Sequence, residues 1–337
     1  MNPDVALDLP RARQLSVGMR AYAEALAERL PRVAPDLRFE MVPRHSALDL
    51  AEQISVPLAL RRLHPRLVHF LSVYAPLAAP RPYVITVHDL IHLRFPQFFK
   101  RSVRPYYATV VRAVCAGAVR VITDDERTVA DLGRFLGVGP GKIAVVPLGV
   151  DDLFFEDPAP AAEPRPYFFY AGNHREHKDL ATLFAAWERL DPASEVDLLL
   201  TGDDDLGPGT RRPHRERGTL RFLGEVDSAR LASLYAGSVA LVHPALCEGF
   251  GLPMVEAAAV GAAVIACEDA VPGVLRASVD LFPAGDVRSL AGLMARALIG
   301  PSARAEAKRV ARALTWDRCA ERTAEVYRAV LPEQRSQ

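Results

Sequence analysis

Short, wholly apolar runs alternate along the chain with longer stretches whose apolar residues recur every three or four positions. In the first half, VALDL (5–9), LVHFL (67–71), YVITVHD (83–89), RVITD (120–124) and IAVVPLGV (143–150) predict strands. MRAYAEALAERLPRV (19–33) and VRPYYATVVRAVCAG (103–117) predict helices between them. DPAPAAEPRP (157–166) is rich in Pro and Ala and lacks an apolar period, so it is expected to link two domains. Beyond it the alternation restarts. Strands are predicted at YFFYAG (167–172), VDLLLTG (196–202), LRFLG (220–224), VALVHPA (239–245) and AAVIAC (262–267). Helices are predicted at 179–190, 227–237, 254–261 and 287–298. Strands this rich in Val, Ile and Leu, alternating with helices, mean parallel sheets covered on both faces. The expectation is an α/β protein of two tandem, doubly wound, Rossmann-like domains. Such sheets bind ligands at the carboxyl ends of their strands, so two that face each other would form a cleft.

Composition changes this picture little. A length of 337 residues suits two domains, and 50% apolar with 24% charged residues is an ordinary globular balance. A net charge of zero gives no argument for a nucleic-acid partner, and none is expected. The charge is nevertheless uneven. Residues 1–150 hold 20 Lys and Arg against 13 Asp and Glu, and the remainder hold 21 against 28, so the halves carry +7 and −7. Cys115, Cys247, Cys267 and Cys319 form no CxxC pair and are expected to be reduced thiols of a cytoplasmic protein. The N-terminal MNPDVALDLPRARQ lacks the order of a secretion signal, and no stretch approaches the roughly 18 apolar residues of a spanning helix.

The informative polar residues gather where strands end. After VALVHPA comes LCEGFGLPMVEAA (246–258), in which Glu248 and Glu256 bracket a glycine-rich turn. Gly249 and Gly251 let the backbone approach a ligand, and Pro253 suits a first helical turn. The N–H groups of that helix start suit an anion such as a phosphate. Two carboxylates beside a phosphate would repel it, so they are placed to accept hydrogen bonds from hydroxyls. Glu256 taken alone is equally a helix-entry acid favoured by the dipole. After YFFYAG, Arg175, His177 and Lys178 precede a helix that Asp179 could cap. Cations at a helix start are disfavoured by the dipole, which suggests a bound anion; a solvated loop is the plainer alternative. His88 and Asp89 end the central strand of the first half, and Gly18 lies in a predicted loop before the first long helix.

Together these segments resemble the family 4 glycosyltransferases, the retaining enzymes of GT-B fold. The likeness rests on Gly18, VHDLIHLRFP (87–96), PLGVD (147–151), Gly172 to Lys178, LRFLGEV (220–226), HPALCEGFGLPMVEAAAVGAAVIA (243–266) and the tail TWDRCAERTAEVYRAVL (315–331). It implies an acceptor-binding domain at 1–156, a linker at 157–166, a nucleotide-sugar domain at 167–314 and a last helix at 315–337 that crosses back to the first domain. It further implies that Lys178 neutralises the donor diphosphate and that the backbone of Gly249, Phe250, Gly251 and Leu252 holds the phosphate and sugar. Glu248 would contact sugar hydroxyls and Glu256 the ribose. His88 would sit against the transferred sugar, with Asp89 and Asp125 near sugar or acceptor. Gly18 and Arg175 would lie on the donor, and Val226 near the base. Several positions depart from the usual pattern. Asn173 stands where relatives have a phosphate-binding Arg, leaving Arg175 as the substitute, and His177, Leu148, Asp125, Ala245, Cys247 and Gly273 also differ.

The implied reaction is transfer of a hexosyl group, with a lean to mannose, from a nucleoside-diphosphate sugar to a glycan or lipid-linked acceptor in cell-surface polysaccharide synthesis. Attack on the same face retains configuration, and the leaving phosphate oxygen takes the acceptor proton. A glycosidase scheme needs two carboxylates flanking one bond, which Glu248 and Glu256 are poorly placed to do. Asp203, Asp204 and Asp205 are expected to form an exposed acidic turn, and no His/Cys set has zinc spacing, so no metal or other cofactor is expected. FPQFFKRSVRPYYATVVRAV (95–114) mixes Lys100, Arg101, Arg104 and Arg112 with aromatics. It is either a peripheral contact to an anionic membrane or a helix whose aromatics pack inward. A non-catalytic nucleotide-sugar-binding subunit and a GT-B-fold epimerase are the alternative functions.

Overall fold

The computed structural model describes residues 2–10, 16–44, 51–206, 210–300 and 304–331. The chain divides into two compact units, residues 1–149 with 315–337, and residues 150–314. The first unit is built on six parallel strands: β1 (Val5–Pro10), β2 (Phe39–Arg44), β3 (Leu67–Phe70), β4 (Tyr83–Thr86), β5 (Arg120–Thr123) and β6 (Ile143–Val145). They stand in the order β2-β1-β3-β4-β5-β6, with Val5 opposite Phe39 on one side and Leu67 on the other. The inner strands β3 and β4 are buried at every position, as apolar runs in a parallel sheet must be.

Helix α1 (Val17–Val33) starts on Ser16, whose hydroxyl accepts from the Met19 N–H. Its buried residues Tyr22, Ala23, Leu26 and Leu30 form one stripe against the sheet. Gly18 therefore lies in the first turn of α1 and not in a loop before it. The serine cap extends the helix two residues ahead of its apolar period. Helix α2 (Glu52–Leu63) follows β2. A helical run over 103–117 contains a π segment, Tyr107–Val111, and ends in α3 (Arg112–Gly117). Tyr107 is buried and stacks on His92, Phe95, Phe98, Phe99 and Tyr106 are half-buried, and Lys100, Arg101, Arg104 and Arg112 are exposed. The exposed face of this segment is thus basic but not apolar. Helix α4 (Glu126–Asp131) follows β5.

The second unit has another six parallel strands: β7 (Tyr167–Tyr170), β8 (Asp197–Leu200), β9 (Leu220–Phe222), β10 (Ala240–His243), β11 (Val264–Cys267) and β12 (Asp280–Phe282). Their order is β12-β11-β10-β7-β8-β9. Its helices are α5 (Leu180–Glu188), α6 (Ser228–Gly237), α7 (Leu252–Val260), α8 (Val287–Ile299) and α9 (Arg304–Arg312). Trp187, Phe168, Leu198 and Met294 are among the buried side chains of its core.

Segment 157–166 is not where the chain changes units. It lies within the second unit, where the Ala161 N–H donates to the Ser233 carbonyl (2.9 Å). Glu163 there accepts from Arg221 (2.6 Å) and Arg230 (2.7 Å). These bonds fix it on the unit's surface. The crossings fall after Gly149 and Leu314. Gly149 is required for space, because a Cβ there would lie 2.3 Å from the Trp316 nitrogen. Helix α10 (Trp316–Val330) belongs to the first unit and packs on α1. Asp317 accepts from Arg29 (2.7 Å), and Trp316, Cys319, Ala320, Thr323, Ala324 and Tyr327 are buried. All four cysteines are buried. Among the described residues no helix is long and apolar enough to cross a membrane.

Candidate functional site

In the second sheet the strand order reverses between the neighbours β7 and β10. Crossovers leave β7 toward β8 and β10 toward β11 in opposite directions, which opens a crevice at their carboxyl ends. The loops leaving these two strands carry the motifs GNHREHKD (172–179) and PALCEGFG (244–251). They are tied to each other by the Leu246 N–H, which donates to the His177 carbonyl (2.9 Å).

The two loops bring Lys178 and Glu248 together. The Lys178 ammonium donates to Glu248 Oε1 and forms an ion pair with it. The short turn Glu176–Lys178 buries Lys178, leaving its side chain 8% exposed. The first turn of α5 is capped by Asp179 in the left-handed region (φ 50°), its carboxylate accepting from the Thr182 N–H. Non-glycine residues rarely hold that conformation, so the loop is constrained next to Lys178. A third member, His243, closes the group from the end of β10. Its Nε2 lies 2.8 Å from the same oxygen, Glu248 Oε1. Burial alone would raise the Glu248 carboxyl. The Lys178 charge and the His243 hydrogen bond overcome it and hold that carboxyl well below the usual carboxylate range. Glu248 is therefore an anion at any physiological pH.

Helix α7 begins at Gly251, which has φ 87° and ψ 49°, and no side chain caps it. Pro253 in the first turn offers no N–H. One turn later Glu256 sits in different surroundings. Its Oε2 accepts from the hydroxyl of buried Tyr235 on α6 (3.1 Å). Burial raises its carboxyl to about 7, the Tyr235 bond opposes that rise, and the Asp151 charge adds to it. The two glutamates of the motif thus differ: Glu248 is fixed as an anion beside the Lys178 ammonium, whereas the Glu256 carboxyl is raised to about 7 beside a phenol.

Arg175 is exposed and makes no ion pair among the described residues. Val226 is half-buried just ahead of Asp227, the N-cap of α6, and no polar contact joins it to the Lys178 group. Asp204 pairs with Arg212 (2.7 Å) and Asp205 with His174 (2.5 Å), so the acidic run is partnered locally. Among the described residues no group of three or more His, Cys, Asp or Glu is arranged to hold a metal.

In the first unit His88 follows β4, and Asp124 follows the neighbouring strand β5. His88 Nδ1 lies 2.7 Å from Asp124 Oδ2, and the Asp124 side chain is 1% exposed. The Tyr22 ring meets the imidazole edge-on at 4.8 Å. Burial pulls the His88 pKa down, but the Asp124 charge and hydrogen bond, with Asp89 adding, leave it raised. Nε2 is buried, and the Leu71 backbone beside the ring adds to that rise. A chain of buried polar bonds runs behind this pair. Tyr22 bonds Thr86 (2.9 Å), Thr86 bonds His69 (2.8 Å), and His69 bonds Tyr327 of α10 (2.6 Å). Asp89 and Asp125 have local duties: Asp89 accepts from the Ile91 N–H (3.1 Å), and Asp125 caps α4 through the Arg127 N–H (2.9 Å).

Two family models match the chain, Glycosyltransferase Family 4 over residues 13–152 and Glycosyl transferases group 1 over residues 165–299. The chain belongs to the family 4 glycosyltransferases. This glycosyltransferase is 26% identical over 306 residues to the O-antigen chain mannosyltransferase B of Escherichia coli, covering 80% of this chain and 79% of that one. It is 32% identical to the phosphatidyl-myo-inositol mannosyltransferase of Mycolicibacterium smegmatis, over 59% of this chain and 50% of that one. Its fold matches the sucrose-phosphate synthase of Thermosynechococcus elongatus with a TM-score of 0.71 at 19% identity, covering 97% and 98% of the two chains. It also matches Anabaena HepE, solved with UDP-glucose, with a TM-score of 0.71 at 14% identity, covering 97% and 100%. The fold is therefore GT-B.

His243, Tyr235 and Asp124 were not predicted from sequence. The one available signal was position. His243 and Asp124 end or directly follow apolar strands at the carboxyl edge of a parallel sheet, where buried polar residues need a reason.

Proposed function

We propose that this glycosyltransferase moves a hexosyl group, with mannose as the favoured sugar, from a nucleoside-diphosphate sugar to a hydroxyl of a glycan or lipid-linked acceptor, retaining configuration. The acceptor belongs to cell-surface polysaccharide synthesis, in keeping with relatives named as O-antigen mannosyltransferases. The observation that carries the reading is the buried Lys178–Glu248 pair on the two switch-point loops, at the start of an uncapped helix. Lys178 and the amides of Gly249, Phe250, Gly251 and Leu252 stabilise the departing diphosphate, with Arg175 close by in sequence. Glu248 Oε2 accepts from sugar hydroxyls, and Glu256 accepts from the ribose. In the first unit, His88 is the residue assigned to the transferred sugar, and Asp124 fixes the orientation of its ring. Val226 is assigned to the base, and Gly18, in the first turn of α1, to the phosphates. No metal takes part. The protein works in the cytoplasm. Any hold on the inner membrane face is electrostatic, through Lys100, Arg101, Arg104 and Arg112, and weakens with salt.

A thermal-shift screen of GDP, UDP, dTDP and ADP tests the reading. Ligand at about 100 times its Kd adds roughly 2.7 kcal/mol of stability. For units of this size, at about 2–4 °C per kcal/mol, that is about 5–11 °C in Tm. One nucleotide is expected to produce this shift, with or without EDTA. No shift with any of them would contradict a nucleotide site, and a shift abolished by EDTA would contradict metal independence.

Nucleotide affinity should also depend on pH. Hydrogen bonds from ribose hydroxyls favour ionised Glu256, whose carboxyl lies near 7 in the free protein. Binding must therefore expel a proton when pH is below about 7. Affinity is expected to fall by up to about tenfold per pH unit on acidification from 7 and to level off above it. In Glu256→Gln that dependence should disappear. Calorimetry at pH 5.5, 7 and 8.5 reads both, and a flat wild-type profile would contradict the role given to Glu256.

A further inference from the structure

Lys178 and His243 both bond the same oxygen of Glu248, Oε1. The other oxygen, Oε2, makes no hydrogen bond among the described residues. The two partners differ in how far they can follow a ligand. Lys178 carries a point charge on a flexible four-carbon stem. A diphosphate, with at least two negative charges, competes with Glu248 for that ammonium. His243 cannot move in this way. It ends the buried strand β10, its side chain is fully buried, and its ring lies nearly parallel to Tyr170 (15°, centroids 6.2 Å). Bonding a carboxylate requires the proton on Nε2. The Nδ1 atom is then buried with no partner among the described residues. Buried polar atoms are seldom left so. The ring is oriented for Glu248 at the cost of satisfying its own second nitrogen.

We propose that His243 is a positioning residue for the donor sugar. It holds Glu248 through Oε1, keeps Oε2 turned toward the sugar hydroxyls, and maintains that hold when Lys178 is drawn onto the diphosphate. This rests on the preceding reading of a nucleoside-diphosphate sugar at the site. It adds a residue that contacts neither sugar nor phosphate but determines how much of the sugar is felt.

The test compares nucleotide and nucleotide sugar by calorimetry on the full chain, using GDP with GDP-mannose and UDP with UDP-glucose. His243→Phe keeps a ring against Tyr170 and removes the donor. His243→Asn keeps polarity but places its amide at the Nδ1 position. His243→Gln places an amide N–H near Nε2. Bonds to charged groups are worth about 1.5–3 kcal/mol, which is roughly 10- to 150-fold in affinity. His243→Phe and His243→Asn should lower nucleotide-sugar affinity by about tenfold or more while nucleoside-diphosphate affinity stays within about twofold. His243→Gln should restore most of the loss. Equal losses for both ligands, no loss in His243→Phe and His243→Asn, or His243→Gln behaving like His243→Asn would each overturn the proposal while leaving the nucleotide site standing. Failure of the wild-type chain to bind GDP, UDP, dTDP or ADP, or a sugar of any of them, would overturn the nucleotide-sugar reading and this proposal with it. If His243→Phe does not fold, His243→Asn and His243→Gln carry the same comparison.

Discussion

Replacing Lys178 with Ala is expected to lower glycosyl transfer by about 100- to 1,000-fold, the range seen when one preorganised electrostatic donor is removed from an active site. The effect should fall on the reaction rather than the fold. Glu248 loses a cation but keeps the His243 bond, and its side chain is 15% exposed, so water can reach it. Circular dichroism should be unchanged and the melting temperature should move by only a few degrees. Glu248→Ala should fail for a different reason: the diphosphate still finds Lys178, but the sugar loses its acceptor, so nucleoside-diphosphate binding survives while transfer does not. Single-turnover assays beside melting curves check both variants. Wild-type activity in either would remove the reason for placing the donor here.

The second large effect concerns stability and lies in the first unit. Arg44 ends β2 with its side chain 1% exposed. It bonds Asp8 (2.9 Å), Glu52 (3.0 Å) and the Tyr74 carbonyl (2.8 Å). Arg44→Met leaves the Asp8 carboxylate buried without its cation, which costs about 3–5 kcal/mol. Burial already raises Asp8 to about 6, against the pull of Arg44. An acid whose folded pKa lies above its unfolded value loses stability as pH rises through that interval, here from about 4 to about 6. Without Arg44 the interval extends upward, so the penalty should be largest at pH 7 and above and shrink on acidification. Adding Asp8→Asn should recover much of it. Urea midpoints at pH 5 and 8 read these effects, and a loss independent of pH would point to packing rather than charge.

The position of Arg44 also shows where sequence reasoning fails. Inner strands such as LVHF and YVIT are buried at every residue and stand out as apolar runs. The edge strand FEMVPR is only half-buried, so its polar residues hide it. Helix α2 carries Pro57 within it, and β12 has three residues, so neither gives a period long enough to recognise. Segment 157–166 has the composition of a linker, but its fixing bonds come from Ser233, Arg221 and Arg230, more than fifty residues away. The site divides in the same way. Lys178 and Glu248 stand out as charged residues near glycines in loops that leave strands, and Glu256 through its spacing from Glu248. His243, Asp124 and Tyr235 are buried among apolar neighbours, and only their hydrogen-bond partners reveal them. Asp89 was legible as an acid at a strand end and Asp125 only through the family resemblance; in the structure Asp89 accepts from the Ile91 N–H and Asp125 caps α4.

Stereochemistry tests the central claim most directly. The full chain would be supplied with whichever nucleotide sugar binds, and the sugar released to water or to a lipid-extract acceptor would be followed by NMR before it equilibrates. The account predicts nucleoside diphosphate and a sugar that keeps the donor's anomeric configuration, with both signals lost in Lys178→Ala. A product of inverted configuration would contradict it.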